Sequence, residues 1–130
     1  MRSILLCVLV ASACASAPVG HAVNIPATRH EIDDTIAADP GVTRVTGDFE
    51  YESATPGSRP VARAAATGAL TPSRRIASVG RVTADHAVVY TRAGDGRGGR
   101  LEETWVRGRD GWTLHHVKEL AASNGASAAR

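Results

Sequence analysis

The chain has 130 residues, enough for one domain, with 15 Lys and Arg against 13 Asp and Glu and a formal net charge of +2. All but one of the basic residues are arginines, Lys118 being the exception, and they are scattered among acids. That is not the basic stripe a polyanion requires. The most positive stretch (Arg59, Arg63, Arg74, Arg75, Arg81) has no interleaved aromatics on which bases could stack, so no nucleic-acid partner is expected.

The opening MRSILLCVLVASACASAPVG sets Arg2 before an apolar run from Ile4 to Val10, with small residues after it, the order of a secretory signal. A bilayer span needs roughly 20 apolar residues, and neither this run nor any later one approaches that. Ala11-Ser12-Ala13 ahead of Cys14 resembles the lipobox of bacterial lipoproteins, with Ala11 where Leu or Val is usual. Two readings stand: lipidation of Cys14, which would be the only route to a membrane, or plain cleavage at a small-x-small site. The expected organisation is a signal peptide over 1–13, a flexible tether over 14–27, a domain over 28–120 and a disordered tail over 121–130. The expected address is the cell envelope, in the periplasm or anchored as a lipoprotein to the outer membrane. Cys7 lies in the apolar run and Cys14 is removed or acylated, so the domain folds without a disulfide and has no thiol nucleophile.

In chain order, Thr28 and Glu31 fit a capping box that predicts a helix over 29–38, with Ile32 and Ile36 one turn apart and Asp39-Pro40-Gly41 as its stop. Val42 to Val45 and Asp48 to Glu52 read as β. In the second, Phe49 and Tyr51 alternate against Asp48, Glu50 and Glu52, which puts aromatics and carboxylates on opposite faces. The Ala-rich stretch 59–70 predicts a second helix. Strands are expected over 74–83 and 86–91, joined by an Ala84-Asp85 corner, then over 101–107 and 112–120 around the Arg109-Asp110-Gly111 turn. The glycine loop 94–99 lacks the order of a phosphate-binding loop and follows no βα unit. With no βαβ repeat, the fold class is α+β: a curved antiparallel sheet with short helices on one side. Strict alternation would turn Trp112, Leu114 and His116 one way and Thr113, His115 and Val117 the other.

LEETWVRGRDGWTLHHVKEL resembles the closing hairpin of the NTF2-like superfamily, in particular its SnoaL-like and DUF4440-like bacterial branches. Gly47 to Tyr51 with Pro56-Gly57 resembles that family's acidic–aromatic strand and turn, and Gly80 to Val89 its first long hairpin. The likeness spans about residues 29–120, and is most specific over 101–118. Two departures are a helix shorter than the family's long lid, and Lys118 where many relatives carry a histidine. The resemblance implies a cone-shaped, strongly curved sheet closed by helices, a cystatin-like roll around a cavity. Some relatives are isomerases, cyclases or dehydratases; others bind or assemble without catalysis, so fold leaves function open.

As candidate catalytic groups, Asp48 could serve as a cavity base, and His86 or His116 as an acid or base. Asp85 and His86, as strand neighbours, are expected to diverge, as are His115 and His116. Tyr90, Glu103, Trp105 and Arg107 are candidate ligand-binding residues, with a Glu103–Arg107 ion pair flanking Trp105. No cofactor is expected, and no HxH or HExxH spacing suggests a metal. The first reading is an exported, non-catalytic domain binding a small hydrophobic molecule or a protein. The alternatives are a SnoaL- or ketosteroid-isomerase-like enzyme using a cavity carboxylate or histidine, and a homodimeric assembly domain.

Overall fold

A computed structural model describes residues 23–62, 70, 73–93 and 99–121. The signal segment with Cys14, the Ala-rich stretch 63–69, the glycine loop 94–98 and the tail 122–130 lie outside the described residues.

Helix α1 spans Ile25–Ala38, 14 residues or about four turns. It begins inside the span read as tether. Asn24 is the cap: its side-chain oxygen accepts from the Ala27 amide at 3.0 Å, and Pro26 sits in the first turn, where its missing N–H costs nothing. Thr28 is therefore not a cap but a buried residue within the helix, and Glu31 is released for contacts elsewhere. The helix is thus longer than the stretch 29–38 expected from the sequence. The helix ends as expected, with Asp39 at its C-cap.

Val42, expected in a strand, closes the following turn instead. Its amide bonds to the Asp39 carbonyl at 3.0 Å and its φ is 49°, a left-handed value that a β-branched residue adopts only under local constraint. Partial burial pushes the Asp39 carboxyl up. Hydrogen bonds from Thr43 and Arg44, with the Arg44 charge, outweigh that and hold it below the ordinary carboxylate value.

Strand β1 is Val45–Glu52, β2 Val61–Ala62, β3 Arg75–Val82, β4 His86–Arg92, β5 Leu101–Gly108 and β6 Gly111–Glu119. β2 stands where helix was expected: its two residues pair antiparallel with Glu50 and Tyr51. The sheet order is β2-β1-β6-β5-β4-β3. The two predicted hairpins, β3–β4 and β5–β6, form antiparallel and are joined by antiparallel β4–β5. The sheet is mixed rather than antiparallel, because β1 runs parallel to β6. That junction brings the first strand beside the last and closes the domain.

Along β5 and β6 the register passes from Thr104–His116 to Trp105–Leu114, so His115 is an extra residue on β6. A bulge of this kind resets which face follows. Trp112, Leu114 and Val117 are thereby all buried, against the strict alternation expected. They join Phe49, Tyr51, Ile76, Val89 and Trp105 on the inner face, where Ile32 and Ile36 of α1 complete the core.

Candidate functional site

The inner face of β5 carries Glu103, Trp105 and Arg107 at alternate positions, and each meets a different environment. Glu103 has no exposed surface, and Arg74, just ahead of β3, is 2% exposed. The Arg74 Nε donates to Glu103 Oε1 at 2.6 Å, and the Thr91 hydroxyl from the inner face of β4 donates to the same oxygen at 2.8 Å. The Trp105 indole N–H donates to Oε2 at 3.0 Å. A buried carboxylate is tolerable only with such partners. Both oxygens are occupied and water is excluded, so the group holds the interior together and has no open face toward a substrate.

The expected Glu103–Arg107 pair does not form, because each residue takes a nearer partner. Arg107 Nη2 donates to Glu31 Oε2 of α1 at 2.7 Å, and its guanidinium lies 4.7 Å from the centre of the Trp112 ring. The Trp112 indole N–H donates to that same Glu31 oxygen at 2.7 Å. The Arg107 Nε is buried and has no partner. Beside this knot, between the first turns of α1 and the β3–β4 corner, lies a cleft of about 150 Å³ lined by Asn24, Thr28, Glu31, Thr83 and Arg107 among others.

A second, shallower hollow of about 350 Å³ lies between the turn after β1 and the end of β6, with Ser53, Thr55, Ser58, Lys118 and Glu119 on its walls. Next to it the Tyr51 hydroxyl donates to Glu119 Oε2 at 3.0 Å. Burial, then the bond to Glu119 and its charge, push the Tyr51 phenol up to about 12.

Apart from Trp105, the remaining sequence candidates are on the outer face or in a turn. Asp48 has a 76% exposed side chain and meets His115 Nδ1 at 3.3 Å. Its carboxyl is held below the ordinary value first by the Thr46 hydroxyl and also by His115. His116 meets Glu52 at 3.5 Å on the same face, so the two histidines do not diverge: the bulge turns both outward onto the acids of β1. His86 is exposed at the β3–β4 corner and, contrary to expectation, bonds Asp85 Oδ1 at 2.9 Å, because Asp85 lies in the turn rather than in the strand. The Thr83 hydroxyl donates to the same carboxylate oxygen at 3.2 Å. Tyr90 also faces outward, its ring in the space left by Gly80 and under the Arg100 guanidinium at 5.3 Å. Trp105, 2% exposed, is core rather than a ligand platform.

Arg74 and Thr91 are not singled out by the sequence reading, and Glu31 and Trp112 appear in it only as a capping residue and a strand residue. Thr91 shares the parity of Ala87 and Val89 and could have been found from it. Arg74 stands in a polar run without any pattern. Among the described residues no three His, Cys, Asp or Glu converge as a metal would require, and no helix is long and apolar enough to cross a membrane.

No family model matches the sequence, and no curated protein matches it. Similar solved structures include an NTF2-like protein of unknown function from Silicibacter pomeroyi, at 16% identity over 73% of this chain and 90% of that one, with a TM-score of 0.49. Another is a domain of unknown function with a cystatin-like fold from Nostoc punctiforme, at 10% identity, covering 74% and 75% of the two chains, with a TM-score of 0.43. A third is an NTF2-like protein with a cystatin-like fold from Novosphingobium aromaticivorans, at 17% identity, covering 79% and 77%, with a TM-score of 0.37. The first and third are described as NTF2-like, and the second by its cystatin-like fold alone. None singles out the SnoaL-like or DUF4440-like branch.

Proposed function

We propose that this chain is an exported, non-catalytic domain of the cell envelope that binds a protein partner. The observation that carries the reading is the state of Glu103, whose oxygens are taken by Arg74, Thr91 and Trp105 behind a closed surface. A general base needs a lone pair within reach of a substrate proton, and an enzyme of the isomerase or cyclase type needs that base in an open apolar chamber. Asp48, His86 and His116 stand outside the inner face, and of the two clefts described the one beside α1 is mainly polar and the one at the end of β6 is mixed. The inner face is filled by Trp105, Leu114, Val117 and Val89, which favours a protein over a small hydrophobic molecule as the bound partner. Export rests on the order of charge, apolar run and small residues at the N-terminus, with Cys14 as the residue that would carry a lipid.

The test is a thermal-shift titration of the mature protein with a panel of small apolar molecules of steroid, fatty-acid and aromatic types. None is expected to raise the Tm. A saturable rise with any of them would overturn the reading, since a ligand that binds only the folded state must stabilise it. Mass spectrometry of the membrane and soluble fractions decides Cys14: a diacylglycerol adduct marks an anchored lipoprotein, and an unmodified mature chain excludes one.

A further inference from the structure

The cleft beside α1 collects polar groups that the fold leaves unused. Thr28 stands one turn before Ile32 on the buried side of the helix and is 5% exposed, yet its hydroxyl makes no hydrogen bond among the described residues. Arg107 Nε is the one side-chain polar atom among those residues that is both sealed from solvent and unpartnered, so the Thr28 hydroxyl opens on the cleft that its residue lines. Arg107, on the same wall, spends Nη2 on Glu31 and leaves Nη1 without a partner among the described residues. Glu31 receives the bonds from Arg107 and from the Trp112 indole on Oε2 alone, which leaves Oε1 free to accept. Val23, Ala27 and Ala84 supply the apolar part of the lining. Backbone amides add little, since Pro26 has none and Asn24 already takes those of Ala27 and Thr28. A nearly buried hydroxyl without a partner is a feature that folding alone does not explain.

We propose that this cleft binds a small free α-amino acid, about the size of alanine, as its zwitterion. The ligand carboxylate accepts from Arg107 Nη1 and the Thr28 hydroxyl, its ammonium donates to Glu31 Oε1, and its side chain lies against Val23, Ala27 and Ala84. Charge decides the class. Arg107 and Glu31 offset each other, so a lone anion would leave the cleft negative beside Glu31, and a lone cation would leave it positive beside Arg107. A zwitterion keeps the balance and gives each unused group a partner of the right sign. The C-terminus of a peptide meets only half of this, because its last nitrogen is a neutral amide. Size agrees: the 150 Å³ cleft holds about five waters at ~30 Å³ each, which is room for about six heavy atoms and not for a steroid or a fatty acid. The inference goes beyond the partner-binding reading and is independent of it, because a polar ligand beside α1 needs no chamber inside the sheet.

The experiment is isothermal titration calorimetry on the mature protein with L-alanine, propionate, ethylamine and N-acetyl-L-alanine, followed by L-alanine on two variants. Thr28→Val keeps the shape of the side chain and removes the hydroxyl. Ala84→Leu, in the exposed β3–β4 corner, fills the space. Each variant is checked by circular dichroism for an unchanged fold. L-alanine is expected to bind the wild type with a Kd of about 0.1–1 mM. Propionate, ethylamine and N-acetyl-L-alanine, each lacking one charge, are expected to bind at least roughly tenfold more weakly. Thr28→Val should weaken L-alanine by roughly five- to tenfold, and Ala84→Leu should abolish its binding. No saturable binding of L-alanine up to about 50 mM would overturn the proposal. So would propionate or N-acetyl-L-alanine binding as tightly as L-alanine, since those outcomes belong to a plain anion site and to a chain-end site. Equal affinity in the wild type and both variants would put the ligand elsewhere and overturn it too. None of these outcomes bears on the thermal-shift panel of apolar molecules, so the two readings fail separately.

Discussion

On the inner face of β5, Glu103 is sealed from solvent and takes three hydrogen bonds, one of them from a guanidinium that is itself buried. On the outer face of β1, Asp48 is exposed and meets a partly exposed imidazole at 3.3 Å. Both are carboxylates in a charged pair on one sheet, but water makes them different objects. Within the protein the pair cannot be broken without stranding a charge. Outside, solvent replaces either partner at little cost. Stability resides on one face and surface chemistry on the other.

The sharpest way to break this contrast is Glu103→Ala. It leaves Arg74 buried and unpaired and is expected to cost about 3–5 kcal/mol, read as a large fall in urea midpoint. Replacing both members, Glu103→Met with Arg74→Met, should recover most of it. A loss below about 1 kcal/mol would show that the interior pair behaves like a surface one.

Glu31→Ala comes next. It removes the acceptor shared by Arg107 and Trp112, at an expected cost of about 1–3 kcal/mol in the same measurement. Trp112 fluorescence should shift with it if the indole loses its bond, and an unchanged emission would detach Trp112 from α1.

Tyr51 gives a smaller effect with a definite sign. Its folded pKa, about 12, lies above the ordinary 10. The neutral phenol is the form that the fold favours, so its stabilisation is complete below pH 10 and is lost as pH rises from 10 through about 12. Tyr51→Phe should flatten that part of the stability profile, and a wild-type profile without the slope would contradict it.

The smallest change is expected at His115→Gln, with no resolvable shift in Tm. The depressed Asp48 carboxyl adds stability only above the ordinary carboxylate range and loses it as pH falls through the lowered value, and exposure keeps that contribution slight. A clear drop in Tm would mean that this exposed pair contributes to stability as the interior one does.

Much of the fold was legible because its determinants are local. Asp-Gly at 110–111 marks the β5–β6 turn, alternation in Asp48–Glu52 sorts aromatics from acids, and Asp39-Pro40 ends the helix. The helix starts earlier than its sequence suggests because two capping patterns overlap, and Asn24 with Pro26 outcompetes Thr28 with Glu31. The site was less legible. Glu103 and Arg107 share a face as expected, but their partners, Arg74 and Glu31, are 29 and 76 residues away, respectively.

By itself the sequence determined the five longer strands, their hairpins, the face on which Phe49 and Tyr51 lie, and the α+β class, because neighbouring residues carry turn chemistry and periodicity. Only the tertiary structure decided that β1 runs parallel to β6, that one extra residue at His115 turns both histidines outward, and that Glu103 is buried among three donors. Those outcomes depend on which distant segments come together and on where water is excluded, and no local pattern encodes either.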